Sequence, residues 1–174
     1  FVCIWRTYLT KKFNKKLSYE IAKIDLEVFK QYGKSVLYFV VAINPETLNK
    51  QAYYKSLTPL EINRLLNEIK YRGNAKGISV KFKKMNDGAL YDIAYSLVKN
   101  SRKQPRALID VADRSIYSQF KLEFDSFNQD LQTYDFFEET VYIYGIDERT
   151  RQEVPIDARI PVALGFEELY DVEL

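Results

Sequence analysis

The run Ser35-Val36-Leu37-Tyr38-Phe39-Val40-Val41-Ala42-Ile43 constrains this chain more than any other segment. It is far shorter than the ~20 residues that span a bilayer, and it lacks the alternation of a strand with one wet face. A strand covered on both sides has this composition, so the run predicts a sheet with helices on either face.

The flanking sequence supplies those helices. Phe1 to Leu9 reads as a strand, and Lys11-Lys12-Phe13-Asn14-Lys15-Lys16 as a basic loop. Ser18 is the predicted N-cap of a helix to about Tyr32, with Ile21, Ile24, Val28 and Tyr32 at helical spacing and Gly33 as its stop. Asn44-Pro45-Glu46 closes the central strand and predicts a short helical piece through Tyr54. Thr58-Pro59-Leu60-Glu61 offers a capping hydroxyl, a proline where its missing amide does no harm, and a glutamate at the reciprocal position. The helix behind it carries Ile62, Leu65, Leu66 and Ile69 on one stripe and stops at Gly73. Ile78-Ser79-Val80-Lys81-Phe82-Lys83 alternates with period two, a half-exposed strand. Asn86-Asp87-Gly88 leads into a helix bearing Ala89, Leu90, Ile93, Ala94, Leu97 and Val98, which ends near Ser101 ahead of Pro105.

Arg106 to Val111 reads as a fourth strand. After it the pattern allows either a short helix over Asp113–Phe120 or a strand over Phe120–Phe124. Thr140–Ile146, the turn Asp147–Thr150 and a return strand over Glu153–Ile156 read as a hairpin, which needs a sheet or a partner to be stable. The expected class is α/β: a layered, largely parallel or mixed sheet of four to five strands with flanking helices, plus a C-terminal β-hairpin extension.

Charge divides the chain as sharply as hydrophobicity does. Residues 1–120 carry 22 Lys/Arg against 10 Asp/Glu, whereas residues 121–174 carry 4 against 14. The expected organisation is a basic α/β domain over 1–120 and an acidic β-rich extension over 121–174. Opposite net charges on one polypeptide point to binding, because they steer complementary surfaces together.

Composition removes much chemistry. There are no histidines, and Cys3 is the only cysteine. Serine–histidine and cysteine–histidine nucleophiles, and zinc sites of His or several Cys, are therefore excluded, as is an internal disulfide. No catalytic residue, metal site or cofactor is expected, and a reducing, cytoplasmic location is. Cys3, within an apolar run, is expected to be buried and inert. The chain opens without Met on an apolar run, from which missing upstream residues are expected. The six glycines form neither a dinucleotide fingerprint nor a P-loop.

Residues 1–118 resemble an anti-sigma-factor-antagonist (STAS-like) domain, in particular its divergent bacterial relatives. The resemblance rests on the leading strand, the apolar strand Val36–Ile43, the helix Pro59–Tyr71, and Ala89-Leu90, Ala94 and Leu97-Val98 followed by Pro105-Arg106-Ala107-Leu108. It implies a regulatory module that binds proteins, nucleotides or lipids without chemistry. Phosphorylatable members carry Asp-Ser-Ser/Thr-Gly after a central strand, where this chain has Asn44-Pro45-Glu46-Thr47.

The expected role is a non-enzymatic regulatory or scaffolding module whose protein partner includes copies of itself. Its basic contacts would be Lys11, Lys12, Lys15, Lys16, Lys81, Lys83, Arg102 and Arg106. Its acidic extension would contribute Tyr142, Tyr144, Glu138, Glu139, Phe166 and Tyr170, with strand addition through Val141–Ile146. A nucleic-acid-binding protein restrained by its acidic segment is the alternative, since those cations are interleaved with aromatics. A metal-dependent phosphodiesterase is the second, resting on Asp110, Asp113, Glu123 and Asp125 with Lys121 nearby.

Overall fold

The computed structural model describes residues 2–73, 75–109, 112–124 and 140–159. The chain forms two compact units, Phe1–Arg102 and Lys103–Leu174. The first carries 19 Lys/Arg against 8 Asp/Glu and the second 7 against 16, net +11 and −9. The change of composition at residue 120 therefore falls within the second unit, inside one of its strands.

The first unit is built on strands β1 (Val2–Leu9), β2 (Lys16–Ala22), β3 (Val36–Ile43), β4 (Lys50–Leu57) and β5 (Gly77–Lys84), with helices α1 (Lys23–Tyr32), α2 (Pro59–Tyr71) and α3 (Leu90–Arg102). The sheet order is β1-β3-β4-β5-β2. It is mixed: β1 runs parallel to β3, and every other neighbouring pair is antiparallel. The two ends of this order curl toward each other, so that Tyr8 of β1 meets Tyr19 of β2 edge to face at 6.3 Å.

Each face of the sheet has its own apolar cluster. On one, Val36, Tyr38, Val40 and Ala42 of β3 and Ile78, Val80 and Phe82 of β5 pack with Leu26 and Phe29 of α1 and Ile62, Leu65 and Ile69 of α2. On the other, Leu37 and Phe39 pack with Tyr54, Met85 and the α3 residues Ile93 and Leu97. The strand between them is buried throughout its central residues, as its composition requires.

Local signals act as expected at several points. Thr58 caps α2, its hydroxyl accepting from the Glu61 amide behind Pro59. Gly33 ends α1 in the left-handed region at φ 62°, which glycine enters without steric cost. On β5, buried Ile78, Val80 and Phe82 alternate with exposed Ser79 and Lys81.

Three segments differ from the sequence expectation. Ser18 lies inside β2 and caps no helix, because Leu17, Tyr19 and Ile21 alternate onto the core face and hold the segment extended. The piece after Asn44 is a turn, held by Asn44 Oδ1 accepting from the amides of Glu46 and Thr47, and the chain then runs into β4. Arg106–Ile109 is one helical turn, α4, in place of a strand, closed by the Leu108 and Ile109 amides donating to the Pro105 carbonyl.

The second unit contains a three-stranded antiparallel sheet, β6 (Gln119–Phe124), β7 (Val141–Ile146) and β8 (Glu153–Arg159), with β7 in the centre. A 3-10 turn over Arg114–Ile116 precedes β6, so a helical turn and a strand occur in sequence where either one was expected. The expected hairpin is β7–β8, and β6 gives it the additional partner that two strands need.

Candidate functional site

The face of the first sheet that carries α3 bears one cross-strand row. Trp5 of β1 is in register with Phe39 of β3, Phe39 with Tyr54 of β4, Tyr54 with Lys83 of β5, and Lys83 with Lys16 of β2. Three aromatics thus lead into two lysines across the full width of the sheet. The α3 side chains pack on the middle of the row, at Phe39 and Tyr54. Its two ends differ in chemistry.

At one end, β1 has β3 on one side and no further strand on the other among the described residues, an open edge. Its ladder begins with the Val2 amide donating to the Ser35 carbonyl and continues with the Thr10 amide donating to that of Ile43. In a parallel ladder this phase gives the even residues to β3 and turns the N–H and C=O of Cys3, Trp5, Thr7 and Leu9 outward. The side chains are equally uncovered: Trp5 is 54% and Leu9 68% exposed, and Val2 and Tyr8 are also exposed. Edge strands are normally protected by prolines, bulges or several charges, and β1 has only Arg6. Cys3, expected to be buried, is exposed for the same reason.

At the other end lysines converge. Lys16 stands opposite Lys83, and Ser18 opposite Lys81. The Lys84 amide donates to the Lys15 carbonyl, which brings those two residues to the same end of the ladder. Because Leu17, Tyr19, Val80 and Phe82 occupy the core face, Lys16, Lys81 and Lys83 belong to the α3 face. The hydroxyls of Ser18 and Ser79 lie 3.3 Å apart between these strands. Of the other expected basic contacts, Lys11 and Lys12 sit in the β1–β2 loop, where Lys11 pairs with Glu46 and its carbonyl accepts from Asn44 Nδ2. Arg102 ends α3 and Arg106 begins α4, in different units.

The expected contacts of the second unit fare differently. Tyr142 and Tyr144 are fully buried, and Gln104 Nε2 donates to the Tyr144 hydroxyl at 3.2 Å. They are core residues and offer no anchor to a partner. Strand addition through β7 is likewise overturned, because β6 and β8 already occupy both of its edges. Glu138, Glu139, Phe166 and Tyr170 lie outside the described residues, as do Asp110 and Asp125 of the carboxylate group. Asp113 accepts from the Ser115 amide and hydroxyl, and Glu123 from Lys103 at 2.7 and 2.9 Å. Lys121 pairs with Glu153. Among the described residues no three His, Cys, Asp or Glu side chains group closely enough to hold a metal.

One carboxylate is strongly perturbed. Glu61 is completely buried, with Lys55 Nζ at 3.1 Å and Arg64 Nε and Nη2 at 2.8 and 2.9 Å. Burial pushes its pKa up, but Lys55 and Arg64 together outweigh that and lower it to about 2. Arg64 continues to Glu68, which also pairs with Arg72. A carboxylate gripped on both oxygens from β4 and α2 ties helix to sheet. In the sequence Glu61 has the place of a capping residue; its partners Lys55 and Arg64 lie in β4 and α2, and the fold brings them together.

No protein-family model matches the chain, and no curated protein or solved structure matches it either. Among the described residues no helix is long and apolar enough to cross a membrane.

Proposed function

We propose that this chain is a non-enzymatic association module that joins copies of itself head to tail. The open edge of β1 in the basic unit receives the acidic unit of another copy. The exposed β1 edge carries this reading: four residues turn both backbone groups outward beside exposed Trp5 and Leu9, which suits strand addition. Net charges of +11 and −9 on the two units favour a second copy as occupant, since each chain brings both signs. Such an interface is heterologous, and it propagates unless the rotation between copies closes a ring. The resemblance of residues 1–118 to anti-sigma-factor-antagonist domains points the same way, toward binding without chemistry.

The test is sedimentation velocity on the full chain over a range of concentrations and salt. Thr7→Pro is the informative variant: it deletes an outward N–H and leaves the even-numbered ladder to β3 in place, a position where strand proline is tolerated. Concentration-dependent assembly that weakens with salt and is lost in Thr7→Pro is the expected result. A chain that stays monomeric throughout, or assembly indifferent to Thr7→Pro, overturns the reading.

A further inference from the structure

We infer that β6 of the second unit is the strand that pairs with the β1 edge of a neighbouring copy, so that the three-stranded sheet of one chain continues the five-stranded sheet of the next. This deepens the head-to-tail reading and rests on it.

Strand addition needs an edge on the donor as well as on the acceptor. Among the described residues four strands end a sheet: β1 and β2 in the first unit, β6 and β8 in the second. An edge from the first unit would set a net +11 against +11, whereas one from the second sets −9 against it. The choice of donor is therefore between β6 and β8.

β8 is closed to a partner in three ways. The Asp147 amide donates to the Gln152 carbonyl, and in an antiparallel ladder this phase makes Gly145 and Val154 the next hydrogen-bonded pair. Glu153 and Pro155 thus turn their backbone groups away from β7, and proline has no N–H to offer there. The register then skips Ile156, a bulge of the kind that twists an edge away from a neighbour. Beyond it the Ala158 amide already donates to Asp157 Oδ1 at 2.8 Å, and the second oxygen of that carboxylate pairs with Arg159.

β6 has neither proline nor bulge. Its register with β7 runs unbroken from Gln119 to Phe124, so over residues 119–123 alternate backbone groups face outward in a regular row. Its two charges do not oppose pairing, because Lys121 is bound to Glu153 and Glu123 to Lys103 within the same unit. Leu122 is 40% exposed, an apolar side chain to set beside Trp5 and Leu9 of β1.

The experiment is sedimentation velocity of the full chain with proline placed on either strand. Adjacent residues alternate in direction, so one of Lys121→Pro and Leu122→Pro deletes an outward N–H and spares the β7 ladder; circular dichroism identifies the folded one. That variant should weaken assembly about tenfold or more, because a carbonyl of β1 is left unpaired. Glu153→Pro, at the first residue of β8, deletes an outward amide there and should assemble like the parent.

Disulfide cross-linking decides the matter if neither β6 proline variant folds. Thr7→Cys in a Cys3→Ser chain is combined in turn with Gln119→Cys, Phe120→Cys, Lys121→Cys, Leu122→Cys or Glu123→Cys, and with Glu153→Cys for β8. Disulfides join residues whose Cα atoms are about 4.4–6.8 Å apart, so oxidation should give ladders of linked copies from a β6 position and none from Glu153→Cys. Assembly that is lost in Thr7→Pro but kept in the folded β6 variant, or ladders from Glu153→Cys alone, overturns this inference and leaves the head-to-tail reading standing. A chain monomeric at every concentration, or assembly indifferent to Thr7→Pro, overturns both.

Discussion

Trp5 lies flat on Phe39, their ring centroids 4.1 Å apart and the planes 13° from parallel, although Phe39 is fully buried and Trp5 half exposed. The pair is the place where the core reaches the open edge. Truncation by Trp5→Ala removes stacking worth roughly 0.5–1.5 kcal/mol and should lower unfolding stability by about that amount. Assembly should suffer far more, because the indole is a large part of the exposed apolar surface of β1. Trp5 is also the single tryptophan, so its emission should shift to shorter wavelength as concentration rises in the sedimentation experiment. An emission maximum independent of concentration argues against burial of this edge.

Glu61 makes stability acid-sensitive in a defined window. Its folded pKa of about 2 lies below the ordinary 4.5, so its contribution is present in full above pH 4.5 and fades as pH falls toward 2. A displacement of that size corresponds to a loss on the order of 3 kcal/mol across the window. Urea unfolding between pH 6 and pH 2 measures it. Glu61→Gln should flatten this acid limb while costing ~3–5 kcal/mol at neutral pH, because Lys55 and Arg64 then lose the buried carboxylate between them.

Gly145 is required for close approach. A Cβ there would come within 2.5 Å of the Tyr117 ring and 2.7 Å of Ile156 Cδ1. Gly145→Ala should destabilise the second unit by about 1–3 kcal/mol through overpacking. Tyr117→Ala in the same chain should recover part of that loss, since it removes the ring the methyl would strike. Loss of near-ultraviolet dichroism on denaturation separates the two variants.

Leu48 occupies the left-handed region at φ 59° with its side chain 71% exposed. It gains little from burial and bears the steric cost of that conformation, ~1–2 kcal/mol for an L-residue with a Cβ. Leu48→Gly should therefore raise the unfolding free energy by about 0.5–1 kcal/mol, read from the midpoint of chemical denaturation. A lower midpoint would mean that the leucine packs more usefully than its exposure indicates.

The sequence made legible those elements whose signals are local or unmistakably apolar. The apolar strand, the Thr58-Pro59 cap, the alternation of β5 and the α3 stripe need no knowledge of distant neighbours. The β2–α1 segment misled because Ile21, Ile24, Val28 and Tyr32 do fall at helical spacing; in the structure Ile24, Val28 and Tyr32 are exposed, and Leu26 and Phe29 face the core. β4 was hidden by Lys55, a charged residue on the core side whose partner Glu61 lies in the following helix. For the site, the lysines were legible as a set, but their convergence depends on the β2–β5 register, and β2 had been read as helix. Tyr142 and Tyr144 looked like contact residues only while β6 was not known to pair with β7.

Among the described residues β1 reaches the sheet's ladder through β3 alone, and β3, β4, β5 and β2 keep all their mutual hydrogen bonds without it. Detachment of this one strand thus sacrifices a single ladder, with the Trp5–Phe39 stack and the Ile4 packing that go with it, and leaves the ladders of the other four strands and the Glu61 cluster in place. Deuterium should enter the amides of Val2, Ile4, Arg6 and Tyr8 ahead of those in the central strands. A strand so loosely tethered can trade its native neighbour for an identical one, so the element that invites a partner is also the one the molecule can most cheaply exchange.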